Sequence, residues 1–247
     1  MRRVKNDPNI RPEDLRRENI FIIVNAVLFF LFLLIWVLIY SVLDALIVFG
    51  FAFFILLPSF FTNAAMVLTG KIKGIPRFPI DGGRMHKDGE RILGDGKSWN
   101  GFIGGWIVGF TVSVAISWWI FARIYEADQY QLLSFFTQDS IRSFISSVYD
   151  LEGLHLGIYL LSQGLIALGS PVGDMMGSYV KRRRHIGRGS VFLFVDQNDF
   201  IILSALVSLF FFPFTWYYWL VVLTLTPLLT AFSNWIGYLM YKKDVPW

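Results

Sequence analysis

The sequence predicts an all-α polytopic membrane protein. It is expected to have five to six transmembrane helices and two loops rich in glycine and basic residues. Three observations carry that expectation. Of 247 residues, 55% are hydrophobic and only 16% charged, where soluble domains carry ~25% charged residues. Uncharged runs recur that reach the ~20 residues a bilayer crossing needs. The basic residues gather in alternate intervals between those runs. An aromatic content of 18% excludes a disordered chain. With no cysteine at all, disulfide scaffolds, thiolate metal sites and cysteine nucleophiles are excluded as well.

The runs follow in order. The first, 20–40, comes after a charged leader. It lacks a small-residue cleavage site and is too long for a signal-peptide core, so it reads as a true span. Runs at 45–69, 101–122 and 154–173 are the next three, the last belonging to a span 154–178 that takes in Asp174. The stretch 200–241 has no charged residue and is long enough for two crossings. Pro213 cannot continue a helix, and the cluster Trp216-Tyr217-Tyr218-Trp219 favours the headgroup level. The stretch therefore divides into 200–216 and 219–241. The connection Ser41–Asp44 is short, and a bent or surface-lying helix there makes the count five. The whole chain, 1–247, reads as one membrane domain.

Lysine and arginine set the orientation. Segment 1–19 holds six, loop 70–100 seven, loop 181–198 five and the tail two, so 20 of the 22 share one side of a six-span chain. The positive-inside rule then makes both termini and both loops cytoplasmic in a multi-pass cell-membrane protein. Segment 124–153 is expected to face outward as a short surface segment. Neither basic loop resembles a folded domain, and the chemistry is expected there.

The stretch 81–105 reads DGGRMHKDGERILGDGKSWNGFIGG, with eight glycines in 25 residues. Glycines let backbone N–H groups wrap an anion. Lys97 and Ser98 stand where the third span begins. A helix start offers free N–H groups and a positive dipole end, which suits a phosphate. Ser98 is also a good N-cap. The spacing is not that of a P-loop, whose first glycine would fall on Arg91. The alternative is a basic loop held by anionic lipid headgroups. Gly101, Gly105 and Gly109 repeat every four residues, as do Gly169, Gly173 and Gly177, and both stripes predict close helix packing.

Asp174 stands at the end of the fourth run, with Ser178 and Lys181 on the same helical face. A carboxylate there is costly unless paired or metal-bound. A structural pair with Lys181 or an arginine is the plainer alternative. Asp196 and Asp199 share a face if the next helix begins early, and they also suit a helix N-terminus as plain dipole complements. Three carboxylates at one boundary, amid basic loops, offer the hard oxygen ligands that Mg²⁺ shares with substrate phosphates. The three histidines, His86, His155 and His185, are too scattered for a zinc centre.

These residues resemble a known family. Gly94–Gly105 (GDGKSWNGFIGG), Gly173–Arg183 (GDMMGSYVKRR) and Asp196–Asp199 (DQND) together look like the CDP-archaeol synthases, the archaeal counterparts of CDP-diacylglycerol synthases. The likeness covers the chain from about the second span onward, which leaves the first span extra. The bacterial Pro-Gly-His-Gly-Gly stretch is absent, and 189–195 reads GSVFLFV instead, which favours the archaeal branch. The resemblance implies transfer of CMP from CTP to 2,3-bis-O-(geranylgeranyl)-sn-glycerol 1-phosphate, with Mg²⁺ as cofactor. It implies Lys97, Asp174, Asp196 and Lys181 as catalytic residues, with Asp174 and Asp196 on the metal. Arg91, Gly94, Asp95, Gly96, Lys97, Ser98, Asn100 and Asp199 would bind CTP, with Asn100 the candidate for the cytosine or ribose. Ser178, Lys181 and Arg182 would hold the isoprenoid ether-lipid phosphate. CTP, that lipid and membrane lipids are the expected partners, and no nucleic acid is. A small transporter or scaffold with lipid-binding basic loops is the competing reading, and it predicts no nucleotide binding.

Overall fold

The computed structural model describes residues 11–72, 74–129, 154–187, 190–212 and 215–239, with side chains at all of these except 120–129 and 154–155. Most of the expected outward segment 124–153 lies outside the described residues. So do the first ten residues and the tail lysines Lys242 and Lys243.

Among the described residues there are seven helices: α1 Pro12–Ile39, α2 Val42–Ile55, α3 Leu57–Thr69, α4 Trp99–Gln129, α5 Leu154–Arg183, α6 Val195–Ser208 and α7 Trp216–Leu239. Local chemistry sets several of their ends. Pro12 opens α1 where its missing N–H costs nothing, and Glu13 and Asp14 complement the positive end. Ser41 caps α2 by accepting from the Asp44 N–H at 3.0 Å. The expected run 45–69 is broken at Leu56, where α2 and α3 meet at a 54° bend. Pro58 explains the break: it has no N–H to donate, and its ring clashes with the carbonyl four residues back. Lys181, Arg182 and Arg183 fill the last turn of α5 and complement its negative end.

Among the described residues four helices are long and apolar enough to cross a membrane, and five if the bent pair α2–α3 counts as one span. The expected run 200–216 differs. Its helix, α6, has only 14 residues, ~21 Å at the α-helical rise against a ~30 Å hydrocarbon core. Helix α6 and the start of α7 nevertheless touch both ends of α1. Gln197, in the first turn of α6, bonds to Glu18 near the start of α1. Tyr217, in the first turn of α7, packs on Trp36 near the end of α1 at 5.3 Å between ring centroids. Glu18 and Trp36 are ~27 Å apart along the axis. Helix α6 is thus too short to count as a crossing by itself, although it and the start of α7 lie alongside much of α1.

Both glycine stripes serve packing, each on a different neighbour. A Cβ at Gly105 would stand 3.0 Å from the Cα of Met66, so α4 lies tightly on α3. A Cβ at Gly169 would stand 2.8 Å from the Cα of Ser204, so α5 lies tightly on α6. Helices α4 and α5 also meet, through the Trp106 indole donating to the Gly164 carbonyl at 2.9 Å. Phe51, Ile55, Ile166, Ile201, Tyr218 and Val221 form the core where α2, α5, α6 and α7 converge. Much of the α1 surface is apolar and open, as a lipid-facing helix requires: Ile23, Val27 and Leu38 are exposed.

Candidate active site

The packing brings the start of α4, the end of α5 and the start of α6 to one end of the bundle. Two lysine–aspartate pairs tie them together. Lys97, just before α4, reaches Asp174 of α5 with Nζ 2.5 Å from Oδ1. Lys181 of α5 reaches Asp196 of α6 with Nζ 2.6 Å from Oδ2. The same Asp196 oxygen accepts from the Phe192 N–H at 2.9 Å, folding the chain back just before its helix. The alternative of an Asp174–Lys181 pair does not hold: two pairs cross between elements in its place. Each lysine neutralises a carboxylate that would otherwise be costly so close to the apolar core.

Asp199 sits deeper, one helical turn beyond Asp196. Glycines on α5 make room for it. A Cβ at Gly177 would stand 2.9 Å from both Cβ and Cγ of Asp199 and closer still to Oδ2, while a Cβ at Gly173 would meet the Asp199 backbone. Asp199 lies within electrostatic range of Asp174, Lys97 and Asp196. Helix α6 does begin early, at Val195, so Asp196 and Asp199 share its first turns. A small cleft opens over the first pair, lined by Gly96, Lys97, Ser98, Pro171 and Asp174 among others.

The basic loop is more ordered than its composition suggests. It is built around Asp81, whose side chain is fully enclosed. Asp81 accepts from the N–H groups of Gly83 (3.1 Å), Leu93 (3.1 Å) and Gly94 (2.9 Å). It also accepts from the Arg91 guanidinium, at 2.7 and 3.2 Å. Glycine-rich backbone does wrap an anion here, and the anion is the chain's own carboxylate. Gly94 needs its missing Cβ, because it turns at φ +96°. The Arg91 guanidinium, followed by these N–H groups, holds the Asp81 carboxyl well below the usual carboxylate range.

The helix start at 98–101 is also largely self-satisfied. Ser98 caps α4 as expected, its Oγ accepting from the Gly101 N–H at 3.3 Å. The Trp99 N–H is taken by the Phe78 carbonyl at 2.9 Å. The Asn100 side chain accepts from the Phe78 N–H at 3.4 Å and donates to the Pro76 carbonyl at 3.1 Å, clipping segment 76–78 to the helix. Arg91 is held by Asp81 and, at 2.8 Å, by Asp95. Gly96 contributes its carbonyl to Arg77. Gly94, Asp95, Ser98, Asn100 and Arg91 thus shape the loop, while Lys97 points from it toward α5.

Arg183 completes the junction; it closes the quoted α5 motif but was given no role by the sequence. Its guanidinium grips both oxygens of Asp88 at 2.7 Å and the Arg91 carbonyl at 2.7 Å. Its neighbour Arg182 lies beside Gly94 and donates to the Ile186 carbonyl at 2.7 Å. The Arg182 Nε is buried with no hydrogen-bond partner among the described residues. Ser178 is half-buried on the same stretch of α5.

The arrangement places Lys97 on a loop, carboxylates on two helices and a cleft at one end of the bundle. Comparison with known proteins gives the family. The sequence model of the CarS-like family, CDP-archaeol synthase, matches residues 43–247. The chain belongs to the CDP-archaeol synthase family. It is 36% identical over 199 residues to the CDP-archaeol synthase of Thermococcus kodakarensis, covering 79% of this chain and 95% of that one. It is 35% identical over 198 residues to the CDP-archaeol synthase of Methanospirillum hungatei, covering 78% and 100%. It is also similar to a solved structure described as an intramembrane enzyme for archaeal membrane lipids biosynthesis, with 27% identity, a TM-score of 0.52, and 75% and 92% of the two chains covered. The chain is accordingly a membrane-embedded cytidylyltransferase of archaeal lipid synthesis. The matched region begins after α1.

Proposed function

We propose that this family member transfers the cytidylyl group of CTP to 2,3-bis-O-(geranylgeranyl)-sn-glycerol 1-phosphate, giving unsaturated CDP-archaeol and pyrophosphate. The observation that carries this reading is the pair of crossed ion pairs, Lys97–Asp174 and Lys181–Asp196, at one end of the bundle. The lipid phosphate oxygen attacks the α-phosphorus, the bond from that phosphorus to the bridging oxygen breaks, and pyrophosphate leaves with the electron pair. Such a reaction needs positioning and charge neutralisation more than a protein base. Lys97 turns from Asp174 to the CTP phosphates, and Lys181 with Arg182 and Ser178 holds the lipid phosphate or the leaving group. Arg91, Asp95 and Asn100 hold the loop in the shape that presents Lys97.

The donor set suits a divalent cation such as Mg²⁺. Asp174 Oδ2 and Asp196 Oδ1 accept no hydrogen bond among the described residues. Among those residues no cluster of three His, Asp or Glu side chains stands ready to hold a metal alone, so the substrate phosphates must complete the shell. Asp174 and Asp196 would hold the ion, with Asp199 behind them. When bound, it would neutralise charge on the triphosphate.

Turnover is tested with purified protein, Mg²⁺, the geranylgeranyl lipid phosphate and CTP, ATP or GTP. CTP-dependent release of pyrophosphate is expected, and no turnover, or equal turnover with all three, overturns the assignment. The positive-inside pattern supports a cytoplasmic site in the cell membrane, with both termini cytoplasmic. A Lys87→Cys variant is expected to resist an impermeant thiol reagent in intact cells, and labelling there refutes that orientation.

A further inference from the structure

The extra helix α1 reaches the site. Glu18 is buried at 4% exposure, and its Oε1 accepts from the side-chain amide of Gln197. Gln197 is itself buried at 1% exposure and stands between Asp196 and Asp199 in the DQND motif. At ~100° per residue, Asp196 and Asp199 lie on one face of α6, and Gln197 points ~130° away from their midline, toward the back. There it is gripped by two elements. Glu18 holds its side chain, and Thr230 Oγ1 of α7 donates to its backbone carbonyl at 3.4 Å. Among the described residues, Glu18 is the one hydrogen-bond partner of the Gln197 amide. The Glu18–Gln197 bond fixes the rotation of the first turn of α6, and with it the two carboxylates on the front.

We propose that Glu18 is a positioning residue for the reaction, supplied by a helix that precedes the region shared with the family. It holds Gln197 and thereby sets Asp196 and Asp199. The proposal rests on the cytidylyltransferase reading of the site. Glu18→Ala is expected to lower kcat about tenfold, as a small misplacement of reacting groups does, with KM for CTP changed less than about threefold. Glu18→Gln keeps an oxygen acceptor for the Gln197 amide and is expected to restore most of kcat. Gln197→Ala should match Glu18→Ala, and the double variant should be no worse than the poorer single one.

Hydrogen exchange at 196–199, read on the same proteins, should quicken in Glu18→Ala and not in Glu18→Gln. That readout does not depend on the substrate assignment. Wild-type protein that turns over no CTP, with the exchange pattern as expected, would overturn the cytidylyltransferase reading while the tie between α1 and α6 stands. Full kcat in Glu18→Ala, no recovery in Glu18→Gln, additive losses in the double variant, or unchanged exchange overturns the positioning role.

Discussion

Lys97 offers the sharpest test of the site, because its environment separates a catalytic cation from a basic loop. Its Nζ lies 2.5 Å from Asp174 Oδ1, and the two side chains are only 21% and 26% exposed. Solvent screening, which reduces exposed pairs to ~0–1 kcal/mol, is therefore partial. A charge-assisted hydrogen bond in such a place is worth ~1.5–3 kcal/mol. If Lys97 gives that contact to the phosphates mainly in the transition state, Lys97→Ala loses about ten- to hundredfold in kcat, with a smaller rise in KM for CTP. Lys97→Arg should recover only part, because a planar fork does not replace a compact point charge. Lys87→Ala is the control: its side chain is exposed in the same loop, and near-wild-type kcat is expected. The assay is steady-state pyrophosphate release with CTP varied at saturating lipid. Melting temperatures of all variants are compared in the same detergent, since removing Lys97 also leaves Asp174 without its partner. Equal, small effects at Lys87 and Lys97 would refute the argument, because the loop would then be acting only as a basic surface.

Asp174→Asn and Asp196→Asn should each abolish turnover while the protein still folds, and turnover in either removes that residue from the cation site. Gly177→Ala pushes a methyl group to 2.9 Å from Asp199 Cβ and Cγ; overpacking of that kind costs about 1–3 kcal/mol, and a modest fall in melting temperature with a large fall in kcat is expected, so wild-type kcat would show that the position of Asp199 does not matter. The depressed Asp81 carboxyl makes the loop's stability depend on acid in one direction. Its contribution is complete above the ordinary value of 3.8, shrinks as pH falls below that, and vanishes once the folded carboxyl itself takes a proton. Exchange of the Leu93 and Gly94 amides should therefore gain no protection as pH rises beyond the carboxylate range and lose it in acid, and an Asp81→Asn variant with the same acid profile would refute the assignment to Asp81.

What could be read from the sequence follows a physical line. Long apolar helices were legible because hydrocarbon demands long uncharged runs, but the division of 200–241 falls after Ser208, earlier than the expected 216/219 boundary, and the Trp-Tyr cluster opens α7. The bend at Leu56 was not legible, because Pro58 sits in a run that is apolar throughout and shows no other interruption. Glycine stripes announced close packing but not the partner: α4 packs on α3 and α5 on α6, and the choice between neighbours depends on which surfaces the whole bundle leaves open. At the site, Lys97, Asp174, Lys181 and Asp196 were legible as charges at helix ends, yet their pairing crossed from the expected pattern, since a helix face shows which residues align and not which element arrives opposite.

The glycine-rich loop shows the same limit from another side. Glycine, lysine and serine before a helix suggested a phosphate cradle, and the loop does form an anion cradle, but around Asp81. A signal for it was present: an aspartate followed by two glycines favours an Asx-type turn, in which the carboxylate accepts from the N–H two residues on, as Gly83 donates here. An internal carboxylate that fills the cradle pre-orders the loop before any substrate arrives. Arg91 is fixed to that carboxylate, and its carbonyl is fixed to Arg183 at the end of α5. Lys97 is thus delivered to α5 by a loop already folded, so the entropy of ordering it is not drawn from substrate binding. The stretch read as a phosphate cradle is an arm held in shape by its own ion pairs, and it ends on the lysine that meets Asp174.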